Sequence, residues 1–95
     1  MGIELLRQYR REILDAAARY GIRNVRVFGS IARGDDHENS DVDILVDVEP
    51  GRTLLDVIAF EQDVQQLLGR NVEVLTDGGL SPYLQQRILA EAASL

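Results

Sequence analysis

Between Asp41 and Val48 every second residue is a β-branched aliphatic: Val42, Ile44, Val46 and Val48 alternate with Asp41, Asp43, Leu45 and Asp47. A period of two is that of an extended strand, whose successive side chains point to opposite faces of a sheet. Such a strand has one face to be covered and another that carries carboxylates. The cover has to come from helices, and helical spacing flanks the strand on both sides. From Glu4 to Tyr20, the residues Leu6, Tyr9, Ile13, Ala16, Ala17 and Tyr20 recur three or four apart, which predicts an amphipathic helix with Gly21 as its stop. Thr53 followed by Asp56 approximates an N-terminal capping pair. The helix it opens carries Leu54, Val57, Ile58, Glu61, Val64, Leu67 and Leu68, and Gly69 ends it.

The rest of the chain fits between these elements. Val25-Arg26-Val27-Phe28 reads as a short strand and Asn71 to Leu75 as a third. Ile31, Ala32 and Arg33 suit one helical turn, and the polar stretch from Gly34 to Ser40 suits a loop. Pro50-Gly51 and Asp77-Gly78-Gly79 mark turns. Ser81-Pro82 starts a last helix, Pro82 to about Ala93, which presents Leu84, Ile88, Leu89 and Ala92. The order α-β-(short α)-β-α-β-α predicts an α/β fold around a small three-stranded mixed sheet, as a single domain over residues 1–95.

Composition narrows the class. Ten basic residues stand against sixteen acidic, a net charge of -6. Nucleic-acid binding draws on clustered Lys and Arg, so a direct nucleic-acid partner is not expected. An acidic chain is better suited to cations or to a protein with a basic surface. The absence of cysteine rules out disulfides, thiolate metal sites and a thiol nucleophile, and is compatible with a reducing cytoplasm. Neither a signal peptide nor a membrane-spanning run is legible, so the expectation is a soluble cytoplasmic chain.

Three features carry chemistry. Phe28-Gly29-Ser30-Ile31-Ala32-Arg33-Gly34 lies where the first strand ends and a short helix begins. Glycine lets an anion approach the backbone, free amides of a helix start attract it, and Ser30 adds a hydroxyl donor. A plain strand-to-helix turn would have the same spelling. Asp41 and Asp43 share one strand face about 7 Å apart along the chain. Paired carboxylates repel unless a cation lies between them, and oxygen donors suit magnesium or manganese. The alternative for them is an exposed edge-strand face, which Asp47 and Glu49 would continue. Glu73, between Val72 and Val74, must face away from both valines, toward the side where Asp41 and Asp43 could lie; an acid on a merely exposed sheet face is the alternative.

Together these residues resemble the nucleotidyltransferase superfamily that includes DNA polymerase beta and the small MNT-type antitoxins. Its signature is an apolar residue, Gly, Gly or Ser, about ten residues, then Asp-apolar-Asp/Glu-apolar. Here it reads Phe28-Gly29-Ser30, ten residues, then Asp41-Val42-Asp43-Ile44. Val27 to Gly34 and Asn39 to Val46 are similar to the MNT wording throughout, and element order and length agree. The resemblance implies that Gly29 and Ser30 hold the β- and γ-phosphates of ATP or another nucleoside triphosphate, with Arg33 able to neutralise phosphate charge. An ion pair with Asp35 or Asp36 is the alternative for Arg33. It implies that Asp41 and Asp43 hold two Mg2+ ions, or Mn2+, and that Glu73 completes the acceptor-side metal site or takes the acceptor's proton. It further implies a cognate HEPN-domain toxin as partner, with AMP attached to a toxin tyrosine. Glu73 departs from the aspartate usual in the family, which leaves room for an antitoxin that acts by contact alone. A third reading, an antibiotic-modifying enzyme with its acceptor site between chains, lacks the usual C-terminal domain. His37 and the acids around it, Asp35, Asp36 and Glu38, are expected in a solvated loop; Tyr9, Tyr20 and Tyr83 are expected on packed helix faces. The exposed helix faces leave the oligomeric state open.

Overall fold

The computed structural model describes residues 2–29, 41–76, 86, 88–90 and 92–95. Two helices, α1 (Gly2–Gln8) and α2 (Arg10–Arg19), lead into strand β1 (Ile22–Phe28). Strand β2 (Val42–Val48), helix α3 (Leu54–Leu68) and strand β3 (Val72–Thr76) follow, and β4 (Ala93–Ser94) comes last. The strands form one mixed sheet in the order β3-β2-β1-β4. β1 runs antiparallel to both β2 and β4, whereas β2 and β3 are parallel. Parallel neighbours need a long crossover, and α3 with its flanking turns provides it. No described helix is long and apolar enough to cross a membrane.

The aliphatic face of β2 is where the core forms. Val42, Ile44 and Val46 are buried with Val25 and Val27 of β1 and Val72 of β3. Leu6, Ile13 and Ala17 cover them from α1 and α2, and Val57, Phe60 and Val64 cover them from α3. Local signals close the crossover as expected. The Thr53 N–H donates to Asp56 Oδ2 at 3.0 Å, and Gly69 takes a left-handed conformation (φ 67°) that ends α3. Gln65 Oε1 then accepts from the Val72 N–H at 3.2 Å, which starts β3 beside the helix that precedes it. The Tyr20 hydroxyl donates to Asp63 Oδ2 at 2.9 Å, tying the end of α2 to α3.

Five details differ from the sequence-based expectation. The first helix is two, broken at Tyr9, where the N–H of Tyr9 bonds to the carbonyl of Leu6 three residues back. β1 starts at Ile22 rather than Val25, because an irregularity between Arg23 and Arg26, with Asn24 at φ 53°, interrupts the alternation that a strand would otherwise show. A fourth strand is present: Ala93 and Ser94 pair with β1 instead of extending a helix. The buried side of α3 is centred on Val57, Phe60 and Val64, while Leu54 and Ile58 are exposed. Leu45 lies on the carboxylate side of β2 and is nonetheless fully buried, so that side is not uniformly polar. The short helical turn at 31–33, the loop at 34–40, the turn at 77–79 and the helix start at 81–82 lie outside the described residues.

Candidate active site

Three strands deliver the site. Phe28 of β1 pairs with Asp43 of β2, and Asp43 pairs with Glu73 of β3. Paired residues on adjacent strands share a face, and neighbouring strands lie about 4.8 Å apart. Asp43 and Glu73 therefore stand side by side on the face opposite the helices, with Asp41 two residues back along the chain on the same side. Asp41 and Glu73 are exposed, and Asp43 is half-buried. The placement follows from the valines: Val42 pairs with Val72 in the core, which turns both acids outward.

Gly29 closes the site from the end of β1. Its φ of +73° is in the left-handed region. A Cβ built there would overlap Asp43 Oδ2 and lie 3.3 Å from Asp43 Cγ. The missing side chain at Gly29 is thus the space in which the Asp43 carboxylate sits. Ser30 and Arg33, expected to join Gly29 in holding phosphate, lie outside the described residues, as do Asp35, Asp36, His37, Glu38 and Tyr83.

Asp47 continues the acidic row in the sequence but belongs to another arrangement. Its carboxylate accepts from Arg26 Nη2 at 3.0 Å and from Asn24 Nδ2 at 3.2 Å, while Arg26 Nε donates to the Asn24 carbonyl at 3.0 Å. The irregularity in β1 brings Asn24 and Arg26 together on this acid, a role that strand alternation does not reveal. Asp47 is held by these donors while Asp43 and Glu73 stand together at the other end of β2.

Among the described residues no three acidic or histidine side chains stand close enough to hold an ion by themselves. The three-carboxylate cluster expected of Asp41, Asp43 and Glu73 is therefore not formed by these side chains alone; the register places two carboxylates, Asp43 and Glu73, side by side, with Asp41 next along the strand. Magnesium commonly takes one or two carboxylates and completes its shell with water and substrate phosphate, rather than occupying an all-protein cage. The donor chemistry fits a hard divalent cation of that kind.

Residues 7–94 match the family described as Nucleotidyltransferase domain. The chain belongs to that family. This nucleotidyltransferase is 36% identical over 90 residues to a candidate protein adenylyltransferase of Methanocaldococcus jannaschii, covering 95% of this chain and 97% of the relative. It is 37% identical over 87 residues to the protein adenylyltransferase MntA of Thermococcus cleftensis, covering 92% and 85%. Among solved structures, a candidate minimal nucleotidyltransferase superposes with a TM-score of 0.89 at 45% identity, covering 100% of this chain and 97% of the other. A toxin–antitoxin structure with AMP-PNP superposes with a TM-score of 0.76 at 21% identity, covering 88% and 69%, which extends the likeness of fold. The nucleotidyltransferase fold expected from the motif is the fold present, with one strand more than the three expected.

Proposed function

We propose that this enzyme transfers AMP from ATP to a hydroxyl of a protein acceptor, a tyrosine of a cognate HEPN-type toxin, and so acts as an antitoxin. The observation that carries the reading is the register of Asp43 with Glu73 beside the Gly29 turn. The names of the adenylyltransferase relatives support the choice of AMP and of a protein acceptor.

In this reading Asp41 and Asp43 would hold divalent cations together with the triphosphate, and Gly29, Ser30 and Arg33 would receive the β- and γ-phosphates. Two bound Mg2+ ions would supply charge neutralisation at the attacking and leaving oxygens. The acceptor oxygen attacks the α-phosphorus, the bond to the β-phosphate breaks, and pyrophosphate leaves. Glu73, exposed beside Asp43, accepts the acceptor's proton or completes the acceptor-side cation site. Asp43 is oriented by its seat against Gly29, so its carboxylate is in position before the nucleotide arrives.

The test is direct. Wild-type chain, labelled ATP, Mg2+ and the protein encoded by the adjacent gene should give a labelled acceptor tyrosine. Asp41→Asn with Asp43→Asn should abolish the label. Glu73, where an aspartate is usual, favours one other reading, neutralisation by contact alone. Full neutralisation of the toxin by the double variant would establish that reading and discard the catalytic one.

A further inference from the structure

Arg26 stands between two acids. It pairs with Leu45 across the β1–β2 ladder, and Asp43 and Asp47 lie two residues to either side of Leu45. Residues two apart on a strand share a face, so Arg26 and both carboxylates project from the same side of the sheet. Val25 and Val27 enter the core on the other side. Diagonal neighbours on adjacent strands lie about 7–8 Å apart, within reach of a long side chain. By position alone the guanidinium could serve Asp43 as readily as Asp47.

Its hydrogen bonds take it toward Asp47. Arg26 Nη2 donates to Asp47 Oδ1 at 3.0 Å, and Arg26 Nε donates to the Asn24 carbonyl at 3.0 Å. Asn24 Nδ2 donates to the other oxygen of Asp47 at 3.2 Å. Asn24 is at φ 53°, a conformation that strains most residues and that asparagine tolerates better than most. The bend there aims both its carbonyl and its side-chain amide at the ion pair. Such strain persists where the surroundings specify it, and irregularities of this kind re-aim side chains beside functional sites. An ordinary surface ion pair leaves both partners in water and contributes little. Here the Arg26 side chain keeps 11% of its surface exposed, and two of its nitrogens are tied down.

The direction of this guanidinium matters to a cation. Placed on Asp43, it would occupy oxygens that a divalent ion needs and would repel the ion itself. Placed on Asp47, its charge lies toward a residue four positions along β2 from Asp43, about 13 Å at strand rise. We infer that Asp47, together with Asn24, is a positioning residue for the cation site: it holds the Arg26 guanidinium at its own end of β2 and so keeps that charge away from Asp43. This rests on the reading that Asp43 holds a divalent cation.

The experiment uses the full chain with Mn2+ and ATP as probes, and reads binding rather than turnover. Asp47→Ala should raise the Kd for Mn2+, measured by calorimetry with ATP present, by about tenfold. The thermal shift with Mg2+ and ATP should shrink in parallel. Adding Arg26→Met, which keeps the apolar stem and removes the charge, should restore wild-type Mn2+ affinity. A contact that merely braces β1 makes the opposite demand, since a second substitution would deepen the loss. Asp47→Asn keeps one accepting oxygen and serves if Asp47→Ala does not fold; it should weaken Mn2+ binding less, and Arg26→Met should again reverse the effect. Wild-type affinity in the Asp47 variants, or a loss that Arg26→Met fails to reverse, overturns the proposal. If the rescue is seen and the wild type labels no protein, the proposed function falls and the role of Asp47 stands. If the wild type labels its acceptor while the Asp47 variants bind Mn2+ as it does, the role of Asp47 falls and the function stands. A wild type that binds no Mn2+ with ATP overturns both.

Discussion

Gly29 and Glu73 are the two residues whose chemistry is sharpest when taken singly. A side chain at Gly29 meets both a left-handed backbone and the Asp43 carboxylate, whereas Gly69 has a similar φ of +67° with nothing within 4 Å of a built Cβ. Gly69→Ala should therefore cost only the conformational strain, about 1–2 kcal/mol, and leave transfer intact. Gly29→Ala should add displacement of Asp43, and lose both stability by denaturant titration and the thermal shift with Mg2+ and ATP. Equal behaviour of the two variants would mean that Gly29 does not seat the carboxylate. At position 73 the carboxylate itself is under test. Glu73→Gln should lower transfer by about 100-fold or more if the side chain takes a proton, and Glu73→Asp should keep it within about tenfold. That Asp41, Asp43 and Glu73 share one face of the sheet, with Gly29 at the end of β1, was legible from the sequence because strand alternation fixes the face each residue takes. The Asn24–Asp47–Arg26 arrangement was not. It depends on a break in β1 that carries no spelling of its own, since asparagine is only one of many residues that precede such a bend.

Among the elements, α3 shows how a correct helix can be read with its inward side partly misplaced: Val57 and Val64 are buried as expected, but Phe60 was not among the residues read. Its span and its Gly69 stop follow from composition, yet Leu54 and Ile58 are apolar and exposed while Phe60 is fully buried. Periodicity cannot decide between two apolar stripes on one helix; contact with β2 does. Phe60→Ala should destabilise the fold by about 3–5 kcal/mol through the cavity it leaves. Leu54→Ala should remain within about 0.5 kcal/mol, because its surface is already in water. Urea titrations of the two variants measure the difference, and comparable losses would contradict the observed orientation. β4 was missed for a related reason. Alanine favours helix by intrinsic preference, and only the open edge of β1 makes Ala93 and Ser94 extended.

For the molecule as a whole, the order of the strands matters more than their number. The chain's end is fixed at the sheet: the Leu95 N–H donates to the Val25 carbonyl at 3.1 Å, and Arg10 Nε donates to the Leu95 carbonyl at 2.9 Å. Removing residues 93–95 should lower the melting temperature measurably while leaving the Asp43–Glu73 pairing in place. An unchanged melting temperature would show that the β1–β4 edge contributes nothing. The α/β class was legible because the chain alternates two periodicities; the fourth strand and the bend in β1 were settled by partners distant in sequence. β2 is flanked on one side by β1 and on the other by β3, and its own aliphatic residues are the centre of the core. Its amide protons should consequently be among the last to exchange with deuterated water, after those of α1 and β4. A fold arranged this way should fray at its borders and keep the acids proposed for transfer aligned, because the ribbon that displays them should also be the last to come apart.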